Sequence, residues 1–238
     1  MMHLTVAVSG AGRSLKNLWN QSQGKNYQIS GVVASSATCE AYEWAKQKGI
    51  ATFVYKSGLN NSDSGKELID FTRDQKTDLI ILAGFLKKFP VTLFAGTPII
   101  NIHPSLLPKY GGKGMYGIHV HKAVAASEDL ISGATVHEVT EEYDKGKILG
   151  RSKVLIPENR DPECIARRVF ESEKKLLPLV TEKLLEAISR DTYSVWQTIE
   201  LDLTVDLTVG FAEETGSNSK ADPKDHESLR NAQGTLKR

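Results

Sequence analysis

The sequence predicts an α/β fold, built on a mostly parallel, twisted sheet with helices on both faces and an antiparallel edge. Over residues 4–102, short β-rich apolar segments alternate with segments whose apolar residues recur at helical spacing. A Gly-Ala-Gly turn follows the first of these segments, and two β-rich segments follow one another after residue 134. Strands that alternate with helices form parallel βαβ units, and right-handed crossovers place the helices on both faces, as in Rossmann-like proteins.

The elements of the first half are predicted in order from composition and periodicity. Five segments are short, apolar and β-rich, as buried strands are: 4–9, 27–34, 51–55, 78–83 and 98–102. Three segments between them carry apolar residues on one helical face: 14–21, 41–48 and 65–75. Gly49, directly after the second of these helices, is typical of a helix C-terminus.

The second half follows a different pattern. Residues 134–139 and 147–156 flank an acidic turn, which predicts an antiparallel pair of strands that ends the sheet. Residues 161–188 carry apolar side chains at helical spacing and predict one long helical stretch. Pro178 lies inside this stretch, and we expect it to kink or split the helix, because proline lacks the backbone donor.

The C-terminal part changes character twice. Residues 199–209 alternate apolar and polar side chains, which predicts a half-buried strand, either in a hairpin at the sheet edge or unpaired and prone to self-association. Residues 211–238 hold almost no large apolar side chains and predict disorder. We therefore expect a catalytic domain, a β extension and a disordered tail, at 1–190, 191–210 and 211–238, in a monomer or weak homodimer.

Composition excludes several classes of protein. The net charge is +1, so no basic surface indicates a nucleic-acid partner. Two cysteines far apart in sequence exclude a disulfide scaffold, and no apolar run approaches the roughly 20 residues that span a bilayer. The N-terminus lacks the basic and apolar regions of a signal peptide. We expect a cytoplasmic protein with no membrane partner.

The turn Gly10-Ala11-Gly12-Arg13-Ser14 joins the first strand to the first helix. Glycines allow close backbone approach, and the unpaired N–H groups at a helix N-terminus bind phosphate. The turn lacks the third glycine of a dinucleotide-binding motif and the Lys-Ser/Thr ending of a P-loop, which disfavours NAD or ATP. The alternative is a plain tight turn with a helix cap.

Asn101 and His103 are two residues apart at the end of a predicted strand, so their side chains project to the same side. Ligands in open α/β sheets bind beyond the carboxyl ends of the strands. An amide N–H and an imidazolium N–H can donate to one oxygen, which is what stabilising an oxyanion requires. Asp144, in a turn-forming context, is a candidate carboxylate partner for the histidine. The alternative is a polar strand end and an ordinary turn aspartate.

Three further histidines, His119, His121 and His137, lie near these segments. No His-x-x-x-His pattern with a carboxylate ligand accompanies them, so we predict no metal site. We interpret His121 and His137 as structural residues or as residues that support the catalytic ones.

Six collinear segments resemble the folate-dependent formyltransferases, most closely the phosphoribosylglycinamide branch of that family. They are VSGAGRSLKNL at 8–18, LAGFLKKF at 82–89, NIHPSLLPKYGGKG at 101–114, VHKAV at 120–124, ATVHEVTEEYDKGKIL at 134–149 and ESEKKLLPLV at 171–180. The Asn-x-His-Pro-Ser-Leu-Leu-Pro string is highly specific to this superfamily. The resemblance covers residues 4 to about 190 and implies the formyltransferase fold.

The resemblance implies transfer of a formyl group from 10-formyltetrahydrofolate to the amine of glycinamide ribonucleotide, a step of de novo purine biosynthesis. It implies direct attack through an oxyanion, to which Asn101 donates a hydrogen bond. His103 would act as a charged or proton-donating imidazole. Asp144 would hold His103, raise its pKa and organise a water that shuttles protons.

The resemblance also implies the binding residues. The nucleotide phosphate would lie on the 10–14 turn, and Glu173 would bind the ribose hydroxyls, unless it is a helix-surface glutamate paired with lysines. The folate co-substrate would occupy an apolar slot lined by Phe85, Leu86, Lys87, Thr140 and Glu141. For Phe85 and Leu86, core packing is the simpler alternative, although a pterin slot can combine both.

The chain departs from the family pattern at three places. Arg13-Ser14 follows the second glycine, where the family usually has Ser-Asn. Gly150-Arg151 lies where the family commonly carries a glutamine, and Asn60 and Asn61 occupy a region that often holds a phosphate-binding basic residue. These departures affect the predicted substrate more than the reaction type.

Other functions compete with this one. A formyltransferase acting on an amino sugar nucleotide or on methionyl-tRNA would use the same catalytic groups, but the tail is too short for the basic C-terminal barrel of a tRNA enzyme. A formyltetrahydrofolate hydrolase usually adds an N-terminal domain, for which the chain has no room. A non-catalytic folate- or nucleotide-binding module would not need the oxyanion donors.

Overall fold

The computed structural model describes residues 1–56 and 63–204, and a single sheet organises them. Its strands are β1 (Met2–Val8), β2 (Tyr27–Ala34), β3 (Ala51–Val54), β4 (Leu79–Leu82), β5 (Ile99–His103), β6 (Ile131–Glu138), β7 (Ile148–Leu155) and β8 (Ile199–Asp202). Its α-helices are α1 (Arg13–Gln21), α2 (Glu40–Gln47), α3 (Asp63–Asp74), α4 (Ile118–Ala125) and α5 (Pro162–Ser189). Short 3₁₀ turns lie at Val91–Leu93 and Tyr193–Val195.

The strand order is β3-β2-β1-β4-β5-β6-β7-β8. Strands β1 to β5 are parallel, β6 runs antiparallel to both of its neighbours, and β8 is parallel to β7. The chain leaves β1 toward β2 and β3 and then returns to β4 on the other side, so the connections diverge beyond the carboxyl ends of β1 and β4. Crevices of this kind hold the ligands of open α/β sheets. The predicted fold class is confirmed.

Two apolar clusters cover the two faces of the sheet. The larger one joins β-strand side chains to α1, α2, α4 and α5, through buried residues such as Leu15, Ala41, Val124 and Leu176. The smaller one joins the other face to α3 through Leu68, together with the aromatic rings that follow β4. Helices therefore cover both faces, as predicted.

Helix α5 is continuous across Pro178, so the predicted split is wrong. Proline has no N–H to donate to the carbonyl four residues earlier, which is that of Lys174. The side-chain amide of Asn17 in α1 donates to this carbonyl instead, at 3.0 Å. A neighbouring helix thus supplies the donor that proline removes.

The C-terminal strand also differs from the prediction. β8 pairs in parallel with β7, so it is neither unpaired nor part of an antiparallel hairpin with that strand. Trp196 fixes the connection, because its indole N–H donates to the Leu149 carbonyl at 3.1 Å. The predicted strand residues 205–209 and the tail 211–238 lie outside the described residues. Helix α4 was not predicted from periodicity.

Among the described residues, no helix combines the length and the apolar character needed to cross a membrane.

Candidate active site

A cavity of about 560 Å³ opens beyond the carboxyl ends of β1, β4 and β5. The residues predicted for catalysis and binding all line it: Gly10, Ala11, Gly12, Arg13, Ser14, Phe85, Leu86, Lys87, Asn101, His103, Thr140, Glu141, Asp144 and Glu173. These residues come from segments far apart in sequence, and the sheet topology brings them together.

The 10–14 turn forms one end of the cavity. Gly12 has a φ of +67°, and a Cβ there would lie 2.6 Å from the Cβ of Ala41 in α2, so only glycine fits without strain. No side chain of the described residues caps the start of α1, which leaves its first N–H groups to the cavity. The guanidinium of Arg13 lies over the Phe170 ring, 4.4 Å from its centroid. The turn therefore combines backbone donors with a positive charge held against α5.

Glu173 projects from α5 toward this turn. The hydroxyl of Ser14 donates to its carboxyl group at 3.3 Å. Burial raises the pKa of Glu173 to about 7, although the Ser14 hydrogen bond and the charge of Arg13 act against that increase. The neighbouring Lys174 pairs instead with Glu171, at 2.6 Å. The surface-glutamate alternative is therefore not what the structure shows.

Asn101 is held by a residue that the sequence assigned only a supporting role. The register of β5 against β6 places Asn101 opposite His137. The Nδ1 atom of His137 lies 2.7 Å from the Glu138 carbonyl, which requires an N–H at Nδ1. The Nε2 atom of His137 then accepts a hydrogen bond from the Asn101 amide at 3.1 Å. The second N–H of that amide makes no hydrogen bond to a described residue.

His103 lies between a backbone carbonyl and a carboxylate. Its Nε2 atom donates to the Tyr110 carbonyl at 2.8 Å, and its Nδ1 atom lies 3.6 Å from Oδ2 of Asp144. The Gly112 N–H donates to the same Oδ2 at 2.8 Å, and Oδ1 lies 3.4 Å from Nε2 of His137. Asp144 thus contacts both histidines, although its own φ is +56°.

Burial and Asp144 act in opposite directions on the charge state of His103. Burial lowers the pKa of His103 below its usual value, and this effect outweighs the opposing effects of Asp144 and the Tyr110 carbonyl. Asp144 thus raises the pKa of His103, as expected, but by less than burial lowers it. The pKa of Asp144 is lowered: burial is the largest single influence and raises it, but the adjacent His137 and His103 rings and the Gly112 N–H together outweigh burial. The free site thus pairs an ionised carboxylate with a neutral imidazole near pH 7.

The segment after β4 forms a second wall. Phe85 packs against Tyr55 and Phe89, with ring centroids 5.9 Å apart in both pairs, so it belongs to the core as well as to the cavity. Leu86 is 60% exposed, which excludes core packing for it. The Lys87 ammonium donates to the carbonyls of Ser35 and Tyr55 at 2.6 and 3.0 Å, so its charge secures the ends of β2 and β3.

The 140–144 turn and the glycine-rich 111–117 loop complete the rim. The Thr140 hydroxyl donates to the Glu142 carbonyl at 2.9 Å, and Glu141 is exposed beside it. Tyr116 and Tyr143 line the cavity and are each about half exposed. Sequence reasoning missed both tyrosines, because an exposed aromatic side chain in a loop has no periodicity that would single it out.

Of the three departures from the family pattern, Gly150-Arg151 lies away from the cavity and Asn60-Asn61 lies outside the described residues. The Arg151 guanidinium donates to the Leu107 carbonyl at 2.9 Å and pairs with Glu200 at 3.6 Å, and Arg151 does not line the cavity. A Cβ on Gly150 would lie 2.6 Å from Val180 of α5, so close helix packing explains that glycine. Asn60 and Asn61 lie outside the described residues.

Metal coordination has no visible support in the part of the chain that the structure describes. Within residues 1–56 and 63–204, no group of three or more His, Cys, Asp or Glu side chains is arranged to hold a metal ion.

Comparison with known proteins identifies similar sequences and structures. The family model described as "Formyl transferase" matches residues 2–181. The chloroplastic phosphoribosylglycinamide formyltransferase of Arabidopsis thaliana is 40% identical over 190 residues, covering 77% of this chain. The enzyme of that name from Haemophilus influenzae is 34% identical over 194 residues, covering 78% of this chain and 88% of the relative. The chain spans only 65% of the length of the Arabidopsis protein and 61% of that of the cowpea relative, Vigna unguiculata.

Solved structures of the same description share the fold. The crystal structure of phosphoribosylglycinamide formyltransferase from Anaplasma phagocytophilum matches with a TM-score of 0.69 and 29% identity, over 78% of this chain and 87% of that one. The structure from Brucella melitensis matches with a TM-score of 0.67 and 30% identity, over 77% of this chain and 95% of that one.

Proposed function

The chain belongs to the formyl transferase family, and on that premise we propose that it transfers a formyl group from 10-formyltetrahydrofolate to the amine of glycinamide ribonucleotide, in de novo purine biosynthesis. One observation carries the proposal. An asparagine amide with an uncommitted N–H, a buried histidine and an ionised aspartate meet in the cavity that the glycine turn at 10–14 also lines. Binding alone would not need the oxyanion donors.

The reaction follows from these groups. The substrate amine attacks the formyl carbon, a new C–N bond forms, and the carbonyl oxygen becomes an oxyanion. The second N–H of Asn101 donates to that oxygen, because His137 already holds the first one. The bond from the formyl carbon to N10 of the folate then breaks, and the proton lost by the amine reaches N10. Asp144, ionised and partly exposed, organises the water that carries this proton.

His103 responds to the charge that develops. In the free protein its ring is neutral, because burial disfavours the imidazolium. An oxyanion beside it adds a second negative charge to that of Asp144, and both favour the protonated ring. We propose that the proton lost by the attacking amine passes through the water at Asp144 to Nδ1 of His103 as the oxyanion forms, and then to N10 as the bond from the formyl carbon to N10 breaks. The ring is therefore positive while the oxyanion exists, which stabilises the transition state more than the ground state.

The nucleotide lies across one half of the cavity. Its phosphate accepts hydrogen bonds from the N–H groups at the start of α1, with Arg13 supplying charge. Glu173 accepts hydrogen bonds from the ribose hydroxyls, and Ser14 already orients its carboxyl group. Arg13 takes the place of the polar side chain that the family usually has there.

The folate co-substrate occupies the other half. Phe85 and Leu86 supply apolar contact for the pterin, and the backbone around Thr140 and Glu141 supplies polar edges. This combination fits an aromatic, hydrogen-bonding ligand, and the cavity volume lies in the range of roughly 300–1,000 Å³ usual for such sites. Lys87 contributes through its backbone, since its ammonium is committed to two carbonyls. All these residues belong to one chain, so we propose that the enzyme acts as a monomer or weak homodimer. We also propose that it is cytoplasmic.

A transfer assay tests the proposal. The purified protein is mixed with 10-formyltetrahydrofolate and glycinamide ribonucleotide, and release of tetrahydrofolate is followed by absorbance. Water alone and an amino sugar nucleotide serve as control acceptors. We expect turnover with glycinamide ribonucleotide only. Turnover with the sugar nucleotide only, or formate release without any acceptor, would contradict the proposed substrate.

A further inference from the structure

His121 is a buried histidine that the proposed chemistry does not use. It lies on α4, it is 6% exposed, and its ring lines the cavity. His103 and Arg13 both lie near it and line the same cavity, so His121 neighbours the catalytic histidine and the 10–14 turn. A buried polar ring in this position is ordinarily held by a protein partner.

No such partner is present among the described residues. The Nδ1 atom of His121 is enclosed by protein and makes no hydrogen bond. His137 and His103, by contrast, are each fixed by a backbone carbonyl, at 2.7 and 2.8 Å. His121 is therefore not a core histidine whose ring nitrogens are both hydrogen-bonded within the protein.

The protonation state of the ring follows from its surroundings. Burial lowers the pKa of His121 to about 4, and the charge of Arg13 acts in the same direction, so the ring is neutral at physiological pH. An enclosed N–H without an acceptor is especially unfavourable, which places the proton on Nε2 rather than on Nδ1. Because Nδ1 is enclosed, the ring meets the cavity through its Nε2 edge.

We propose that His121 is a substrate-positioning residue whose Nε2–H donates to an uncharged oxygen of the nucleotide, between its phosphate and its amine. The inference rests on the proposed function, because that function places the phosphate at Arg13 and the amine near His103. The part of the nucleotide between those points carries ribose and amide oxygens, which accept hydrogen bonds without charge. A neutral donor suits them, since an imidazolium there would lose its hydration without gaining an ion pair.

The test compares two variants with a matched control. His121→Leu removes the donor, and His121→Gln keeps an N–H at a similar distance along the side chain. His119→Leu, two residues away on the same helix, changes an exposed histidine that does not line the cavity. Calorimetry measures the Kd of glycinamide ribonucleotide for each protein, and steady-state kinetics measures KM and kcat separately.

We expect His121→Leu to weaken nucleotide binding roughly five- to twentyfold, as loss of one hydrogen bond does, with the KM of the folate unchanged. His121→Gln should recover most of the affinity, and His119→Leu should match the wild type. If the wild type turns over and His121→Leu binds the nucleotide as tightly as the wild type does, the inference is overturned and the proposed function stands. Absence of nucleotide binding and of turnover in the wild type would overturn both.

Discussion

At the residue scale, the site depends on the hydrogen bonds that orient Asn101 and His103. Asn101 and His103 were predicted from their spacing on one strand, but their partners are set by strand register and by a backbone carbonyl. His137 orients the Asn101 amide, and the Tyr110 carbonyl holds His103. Side-chain type and spacing reveal candidates for oxyanion stabilisation, whereas the hydrogen bonds that orient these side chains come from residues that only the fold brings close.

Glu173 provides a prediction about pH. Burial raises its pKa from the ordinary 4.5 to about 7 in the folded protein, so the free folded protein favours the protonated carboxyl group. The stability that this preference contributes is fully present below about pH 4.5 and is lost as the pH rises through 7. Glutamine mimics the neutral group and does not titrate. The free energy of unfolding of Glu173→Gln, relative to that of the wild type, should therefore increase by on the order of 2 kcal/mol from pH 5 to pH 8.

Urea unfolding of both proteins at the two pH values measures this gain. The same stability difference at pH 5 and pH 8 would show that Glu173 titrates normally and is not buried as described.

At the element scale, Gly12 determines how α1 begins. Both its φ of +67° and the 2.6 Å approach to Ala41 exclude a Cβ. Gly12→Ala should therefore destabilise the fold by about 1–3 kcal/mol, and should weaken phosphate binding because α2 must move. Gly10→Ala is the matched control, since a Cβ there meets no atom within 4 Å. Thermal unfolding separates the two, and equal stability losses would contradict the account.

The contact between α1 and α5 offers a second prediction at this scale. Asn17→Ala leaves the Lys174 carbonyl without its donor, at an expected cost of about 1–2 kcal/mol. Pro178→Ala restores the helical N–H that proline lacks, so Asn17→Ala should cost much less in that background. A double-mutant cycle by urea unfolding measures this coupling. Additive effects of the two substitutions would contradict the assigned role of Asn17.

At the scale of the whole molecule, the predicted domain boundary at residue 190 can be compared with the contacts that follow it. β8 pairs with β7, and Tyr193 donates a hydrogen bond to Glu138, next to His137. Ending the chain after residue 190 removes these contacts and leaves β7 as an open edge. We expect that truncation to lower the Tm by several degrees and to promote aggregation.

Ending the chain after residue 204 is the control, because it keeps every contact that the structure describes. It should unfold at the wild-type temperature. An equal loss in both truncated proteins would show that residues 205–238 contribute to the stability of the fold.

The sequence was sufficient for the fold class and for the expectation that the site lies beyond the carboxyl ends of the strands. Alternating β-rich and helical segments define parallel units, and the carboxyl ends of their strands are where ligands bind. The sequence was not sufficient where a distant residue decides the outcome. Asn17 supplies the donor that Pro178 removes from α5, burial outweighs the increase that Asp144 makes in the pKa of His103, and β8 pairs in parallel with β7.

The central claim is that the Asn101 amide stabilises the oxyanion of a direct formyl transfer. Single-turnover kinetics with a ¹³C-formyl folate donor tests it most directly, with glycinamide ribonucleotide as acceptor and mass spectrometry of protein and products. We expect label on the nucleotide amine, none on the protein, and a rate roughly a hundredfold to a thousandfold slower for Asn101→Ala, with nucleotide affinity nearly unchanged. Label on the protein, or a normal rate in a folded Asn101→Ala variant, would contradict it.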